Sequence, residues 1–179
     1  MIIRHAVGTE LDAICALHRV AFGVAEGDAI ATLVAKLAQD PTAAPRTSLV
    51  ADLDGAIIGH VLFSAVRIPP HAVSAQILAP LGVAPMHQRQ GIGSQLVRAG
   101  LAQMHATGCE LVFVYGNPVY YRRFGFIPAT PHKLIAPHPI PPAYADAWMV
   151  RALSDWALEH CHGTVRCAET LHHPQYWEI

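Results

Sequence analysis

Apolar and polar positions alternate between two periods along this chain, and the switches between them mark its elements. The opening MIIRHA (residues 1–6) reads as a short apolar strand, and Thr9 stands where the N-cap of a helix through Ala21 belongs. Leu11, Ile14, Ala16, Leu17 and Val20 follow at roughly helical spacing. Ile30, Leu33, Val34 and Leu37 form one apolar stripe on a second helix over about 25–38, after which Pro41 and Pro45 break the pattern. Asp54-Gly55 lies between two β-rich runs and predicts a hairpin of strands 48–53 and 56–67. A further strand is expected over 74–83 (SAQILAPLGV) and a helix over 91–106, with Ile92, Leu96, Val97 and Leu101 on one face. ELVFVY, 110–115, is a continuous apolar run of the kind found in a strand covered on both sides. This strand, helix and strand predict a parallel crossover.

Beyond it, Pro118–Phe124 reads as one or two helical turns closed by Gly125 in a left-handed cap, followed by strand-like FIPA. The proline-rich stretch 130–142 predicts a surface loop. AWMVRAL and GTVRCAETL are later strand candidates around a short helix near 153–161.

At 179 residues the chain suits one domain, and no apolar run reaches the ~20 residues that span a bilayer. The N-terminus lacks the basic and apolar pattern of a signal peptide, which predicts a cytoplasmic protein. Net charge is −1 with scattered basic residues, so neither nucleic acid nor a membrane surface is an expected partner. The apolar-rich composition is compatible with a homodimer. The four cysteines, Cys15, Cys109, Cys161 and Cys167, form no CxxC pair and read as reduced thiols. Twelve histidines are many, and His160, His162, His172 and His173 crowd the tail near Cys161. Their spacing matches no ligand pattern, so no metal is expected and solvated side chains are the reading.

The candidate chemistry lies in LAPLGVAPMHQRQGIGSQLV, residues 78–97. A strand that ends before a loop feeding a helix N-terminus aims several unpaired N–H groups in one direction, and glycines let an anion approach them. GxxxxGK[ST] is absent, and GxGxxG fails because Leu96 stands at its last glycine. What remains is Gln88-x-x-Gly91-x-Gly93 behind Val83-Ala84-Pro85.

That stretch resembles the cofactor motif of the GNAT superfamily of acetyl-CoA-dependent N-acyltransferases. YGNPVYYRRFGF, 115–126, is similar to the family's Asn-...-Tyr-x-x-x-Gly-Phe signature. Together with GHVLFS, the motifs are closest to the predicted acetyltransferases grouped as YhbS-like. The resemblance covers about residues 1–152, leaving 153–179 as a C-terminal extension expected to pack on the same domain. It implies an α/β (α+β) GNAT fold: a twisted mixed sheet of about seven strands, helices on both faces, and a splay between two central parallel strands.

The resemblance further implies that main-chain groups of Arg89, Gln90, Gly91, Ile92, Gly93 and Ser94, with Gln88, hold the pyrophosphate of coenzyme A. Leu81, Gly82 and Val83 would offer unpaired backbone to the pantetheine arm, at a bulge that Pro80 suits. Asn117 would cap the short helix, contact the pantetheine, or do both. Tyr121, aligned on Gly125-Phe126, would be the catalytic acid toward the leaving thiolate, with Tyr120 in the core. Arg122 and Arg123 are weaker phosphate candidates, their bland reading being a solvated face. The implied reaction is direct transfer of an acetyl group from acetyl-CoA, as cosubstrate, to a primary amine on a small molecule, peptide or protein. The alternative is a non-catalytic acyl-CoA-binding or sensor domain, favoured by the lack of an acid on SAQILAPLGV. Gln76 cannot serve as a base, and His60 and Glu110 are the substitutes available. Cys109 has no histidine partner in the sequence pattern for a covalent relay.

Overall fold

In the computed structural model, which describes residues 1–178, an edge strand β1 (Ile2–His5) leads into α1 (Leu11–Leu37). Thr9 does not cap this helix. It sits inside a 3₁₀ turn over Gly8–Glu10, because the Glu10 carboxylate, held by Arg4, accepts the Val7 N–H at 2.8 Å and fixes the entry itself. The two helices expected over 9–21 and 25–38 are the arms of α1, which folds back at Gly23 (φ 74°, ψ −172°), a conformation open to glycine alone. Cys15 Sγ consequently lies 3.5 Å from the Ala31 carbonyl, and Arg19 pairs with Asp28 at 3.1 Å. Gly27 makes the fold-back tight: a Cβ there would stand 2.3 Å from the Arg19 carbonyl oxygen.

Strands β2 (Thr47–Leu53) and β3 (Ala56–Ile68) join through Asp54 and Gly55, both left-handed, with Asp52 accepting the Gly55 N–H at 2.8 Å. β4 (His71–Val83) begins three residues before the expected boundary, since His71 already pairs with Ile68. Val61 faces Leu81 and Phe63 faces Leu78, so Ala79 and Pro80 stand against Leu62 alone in a bulge. α2 (Ile92–Ala106) crosses to β5 (Leu111–Tyr115), which runs parallel to β4.

The remaining elements are short: α3 (Pro118–Tyr121), β6 (Ile127–Pro128), β7 (Leu134–Ile135), β8 (Trp148–Ala152), α4 (Asp155–His160), β9 (Gly163–Thr164) and β10 (Arg166–Cys167). The main sheet runs β1-β2-β3-β4-β5-β8-β6, with β10 added along β3, and β7 pairs with β9 apart from it. GTVRCAETL is therefore not one strand. Past Cys167 its backbone finds other partners: Glu169 N–H donates to Thr42 Oγ1, and Thr170 donates from N–H and Oγ1 to the Asp40 carboxylate.

The alternation of β5 shows how the sheet is covered. Leu111 and Phe113 pack with Leu33 and Leu37 of the second α1 arm, with Trp148, and with Leu171 and Trp177 of the tail. Val112 and Val114 pack with Ile92, Leu96 and Val97 of α2 and with Tyr121. Helices thus lie on both faces of a mixed sheet, and residues 153–178 contribute Ala157, Cys161, Leu171 and Trp177 to the core on the face of the second α1 arm.

Candidate active site

Strands β4 and β5 are hydrogen-bonded neighbours only over Ala75–Ile77 and Leu111–Phe113. Past these residues β4 keeps β3 on one side and no strand on the other, so the edge from Leu78 to Val83 has unpaired backbone groups. The gap opens into a cleft of about 480 Å³ lined by Ile77–Leu81 on β4, by Val114–Asn117 and Tyr121 across from it, and by Phe22, Glu26 and the tail at Gln175–Glu178.

Beside the cleft, β4 runs through Gln88 into α2. Arg89 (φ 60°) and Gly91 (φ 82°) are both left-handed, which turns successive N–H groups the same way. The first helical bond of α2 is Gln95 N–H to Gly91 O at 3.0 Å, and among the described residues the N–H groups of Arg89 through Ser94 have no acceptor. Six free donors at the positive end of a helix, around a pocket of about 390 Å³, form an anion cradle. No Cβ at Gly91 would meet anything within 4 Å, whereas one at Gly93 would lie 2.7 Å from the Tyr120 hydroxyl.

The predicted site residues separate into three groups. Leu81, Val83, Gln88, Arg89, Gly91, Ile92, Gly93 and Ser94 line the cradle, while Leu81, Asn117 and Tyr121 line the cleft. The Gln88 side chain donates to the Val83 carbonyl at 2.9 Å, and that of Gln90 turns back to the Met86 carbonyl at 3.2 Å. Both hold the loop in shape. Gly82 faces neither space: a Cβ on it would lie 2.7 Å from His18 Nδ1, so its role is close packing under α1. Asn117 caps α3, its Oδ1 accepting from Val119 N–H at 2.9 Å.

Tyr121 is 9% exposed, its ring fitted against Gly116, where a Cβ would come within 2.5 Å, and edge-on to Tyr120 and Phe126. Burial pushes its phenol well above the ordinary tyrosine range, with Tyr120 adding to the shift. Tyr120 packs on the edge of the core, against Tyr121 and Phe124, and reaches out of it. It is half-buried, with its hydroxyl at Gly93 and its ring under the Arg123 guanidinium at 4.5 Å. Arg123 Nη2 in turn lies 3.4 Å from Ser94 Oγ, so Arg123 belongs to the cradle wall and Arg122 does not.

Neither substitute base reaches the cleft. His60 is 1% exposed, Nδ1 to His18 Nε2 at 2.8 Å and Nε2 to Ser48 Oγ at 2.8 Å; burial, with His18 beside it, pushes its pKa down to about 3. Glu110 stitches the far end of the parallel pair by accepting Ser74 N–H at 3.0 Å. Gln76 donates to the Pro45 carbonyl at 3.0 Å. Cys109 is buried, which pushes its thiol up to about 11 despite bonds to Leu111 and Ser74. The tail histidines His160, His162, His172 and His173 are all exposed, as expected, with His172 resting on His138, His162 on His71 and His160 on Trp156. Among the described residues no three His, Cys, Asp or Glu side chains come together to hold a metal, and no helix is long and apolar enough to cross a membrane.

Two central strands part over a cleft, beside a loop of free N–H donors. The acetyltransferase (GNAT) domain family matches residues 2–129, and the chain belongs to that family and is an acyltransferase. It is 39% identical over 142 residues to the uncharacterised N-acetyltransferase YjhQ of Escherichia coli K12, covering 78% of each chain. It is 35% identical over 170 residues to the uncharacterised N-acetyltransferase YhbS of the same strain, covering 94% of this chain and 97% of that one. The crystal structure of E. coli YhbS in complex with CoA superposes with a TM-score of 0.85 at 34% identity, covering 95% of this chain and 91% of the other. A GNAT acetyltransferase from Brucella melitensis in complex with acetyl-CoA gives 0.74 at 27% identity, covering 95% and 97%.

Proposed function

We propose that this protein transfers an acetyl group from acetyl-CoA to a primary amine, directly, with both substrates bound together. The observation that carries the reading is the continuity of the cradle with the cleft through Leu81, which lines both. A pyrophosphate on the N–H groups of Arg89–Ser94, with Arg123 beside it, would send its pantetheine arm along the unpaired edge of β4. Acetyl-CoA supplies a thioester whose carbonyl carbon an amine can attack.

The chain's own groups then have three tasks. The N–H groups of Leu81 and Val83, which point away from β3 while Gly82 pairs with His60, steady negative charge on the carbonyl oxygen, and Pro80 beside them has no N–H to offer. Tyr121, kept protonated by its burial, holds at Oη the proton that the departing sulfur takes as the C–S bond breaks, and the proton shed by the newly acylated nitrogen returns the phenol to its neutral form. The tail and the second α1 arm wall the opposite mouth of the cleft, where the amine enters. On the same reading residues 153–178 are an extension of one domain.

Calorimetric titration of acetyl-CoA tests the reading. Wild-type protein is expected to bind it at about micromolar Kd, and Gly91→Glu, which sets a carboxylate in the cradle, to weaken binding by at least about tenfold, roughly 1.4 kcal/mol. Wild-type protein that binds no acetyl-CoA overturns it.

A further inference from the structure

The acceptor end of the cleft is built from segments far apart in sequence. Phe22 and Glu26 flank the Gly23 fold-back of α1, and Tyr176, Trp177 and Glu178 come from the tail. The tail is held in place: Trp177 is 4% exposed, its ring stacks on Tyr115 at 5.5 Å, and its Nε1–H donates to the Leu171 carbonyl at 2.8 Å. Charge on this wall has one sign. Glu26 and Glu178 both line the cleft, neither has an ion-pair partner among the described residues, and no Lys, Arg or His side chain lines it. The neutral polar side chains do not offset this, since Asn117 Oδ1 is engaged at the cap of α3 and Gln175 carries no charge.

We infer that the acceptor is a small cationic amine with an apolar or aromatic body and no carboxylate, its ammonium held by Glu26 and Glu178. This deepens the reading above and rests on it. An α-amino acid would bring a carboxylate toward two carboxylates with no cation to meet it, and like charges at close range are repulsive. An amine without that group meets only attraction, while the ring of Phe22 and the Tyr115–Trp177 stack offer apolar surface to its body.

Matched pairs test the inference by calorimetry on the full chain, with and without saturating coenzyme A: tyramine against L-tyrosine, phenethylamine against L-phenylalanine, cadaverine against L-lysine. The amine of at least one pair is expected to bind tenfold or more tightly than its amino acid. L-tyrosine methyl ester, which lacks the anionic carboxylate, is expected to bind nearer to tyramine than to L-tyrosine. Glu26→Gln is expected to weaken the preferred amine about threefold, as a partly solvated ion pair should, and Glu26→Gln with Glu178→Gln about tenfold. Coenzyme A affinity measured on the same variants is expected to stay within twofold. If no pair shows the amine preferred, or the double variant keeps the preference intact, the inference is overturned. Failure of the wild type to bind acetyl-CoA would instead remove the acyltransfer reading, and the amine titrations without coenzyme A remain readable on their own.

Discussion

Lowering the pH from 7 to 5 should destabilise this fold by about 4 kcal/mol through two histidines that play no part in the cleft. His18 and His60 are 0% and 1% exposed and share a single proton between His18 Nε2 and His60 Nδ1, 2.8 Å apart. His60 Nε2 continues the chain to Ser48 Oγ, and His18 Nδ1 has no partner. Burial pushes His18 down to about 4, and burial with the neighbouring His18 pushes His60 down to about 3, both from 6.5. Between those values and 6.5 the unfolded chain binds protons that the fold refuses, so stability falls as pH falls through this window. For a histidine that stays neutral in the fold the cost at pH 5 is about 2 kcal/mol, and it does not depend on how far below 5 the folded value lies. Asp40 and Glu10, both held near 2 in the fold, act chiefly below this range. Urea denaturation of the wild type and of His18→Gln with His60→Gln at the two pH values measures the difference. Every other group titrates equally in both proteins, so the variant should lose about 4 kcal/mol less than the wild type. Equal losses would refute the argument, because they would mean that the buried pair takes up protons in the folded state.

Gly100→Ala should cost about 1–3 kcal/mol in thermal or chemical unfolding, since the new Cβ would lie 2.2 Å from the ring of fully buried Phe63. Asp40→Ala removes the acceptor for both Thr170 donors and should cost about 1–3 kcal/mol. Because it loosens the strand-free stretch leading to Trp177, steady-state kinetics should show a raised KM for the amine with that for acetyl-CoA little changed. Tyr121→Phe should lower kcat by about 10²-fold while leaving acetyl-CoA affinity within about twofold; an unchanged kcat would take the phenol out of the reaction.

The cradle was legible because its parts are contiguous in sequence. Gln88, Gly91 and Gly93 lie on one loop, and a strand, a turn and a helix N-terminus need only local rules to converge on an anion. What those rules missed inside it was Tyr120, whose neighbour Tyr121 has the same composition and the same short helix. Only the three-dimensional placement of Gly93 distinguishes them, since one tyrosine turns its hydroxyl to that glycine and the other packs its ring on Gly116. Arg89 shows a second limit: a left-handed conformation at a residue that is not glycine, with φ 60°, leaves no trace in a pattern of residue types.

The two substitute bases failed for a physical reason that bears on how the cleft works. His60 lies on β3 directly opposite Gly82, so it is close to the cleft in register, yet its side chain goes to the α1 face and pairs with His18. Glu110 precedes β5 and sits at the end where β4 and β5 are joined, whereas the cleft lies at the end where they part. Strand alternation and strand direction together remove both. The acids that do line the cleft, Glu26 and Glu178, lie 152 residues apart and come to the same cleft because α1 folds back at Gly23 and Trp177 of the tail stacks on Tyr115. On the proposed reading, the half of the site that would hold the acyl carrier is written in a local motif, and the half that would select the acceptor in a tertiary contact. On that reading, substitutions near Gly23 or at Gln175–Glu178 should change acceptor specificity without touching the cradle.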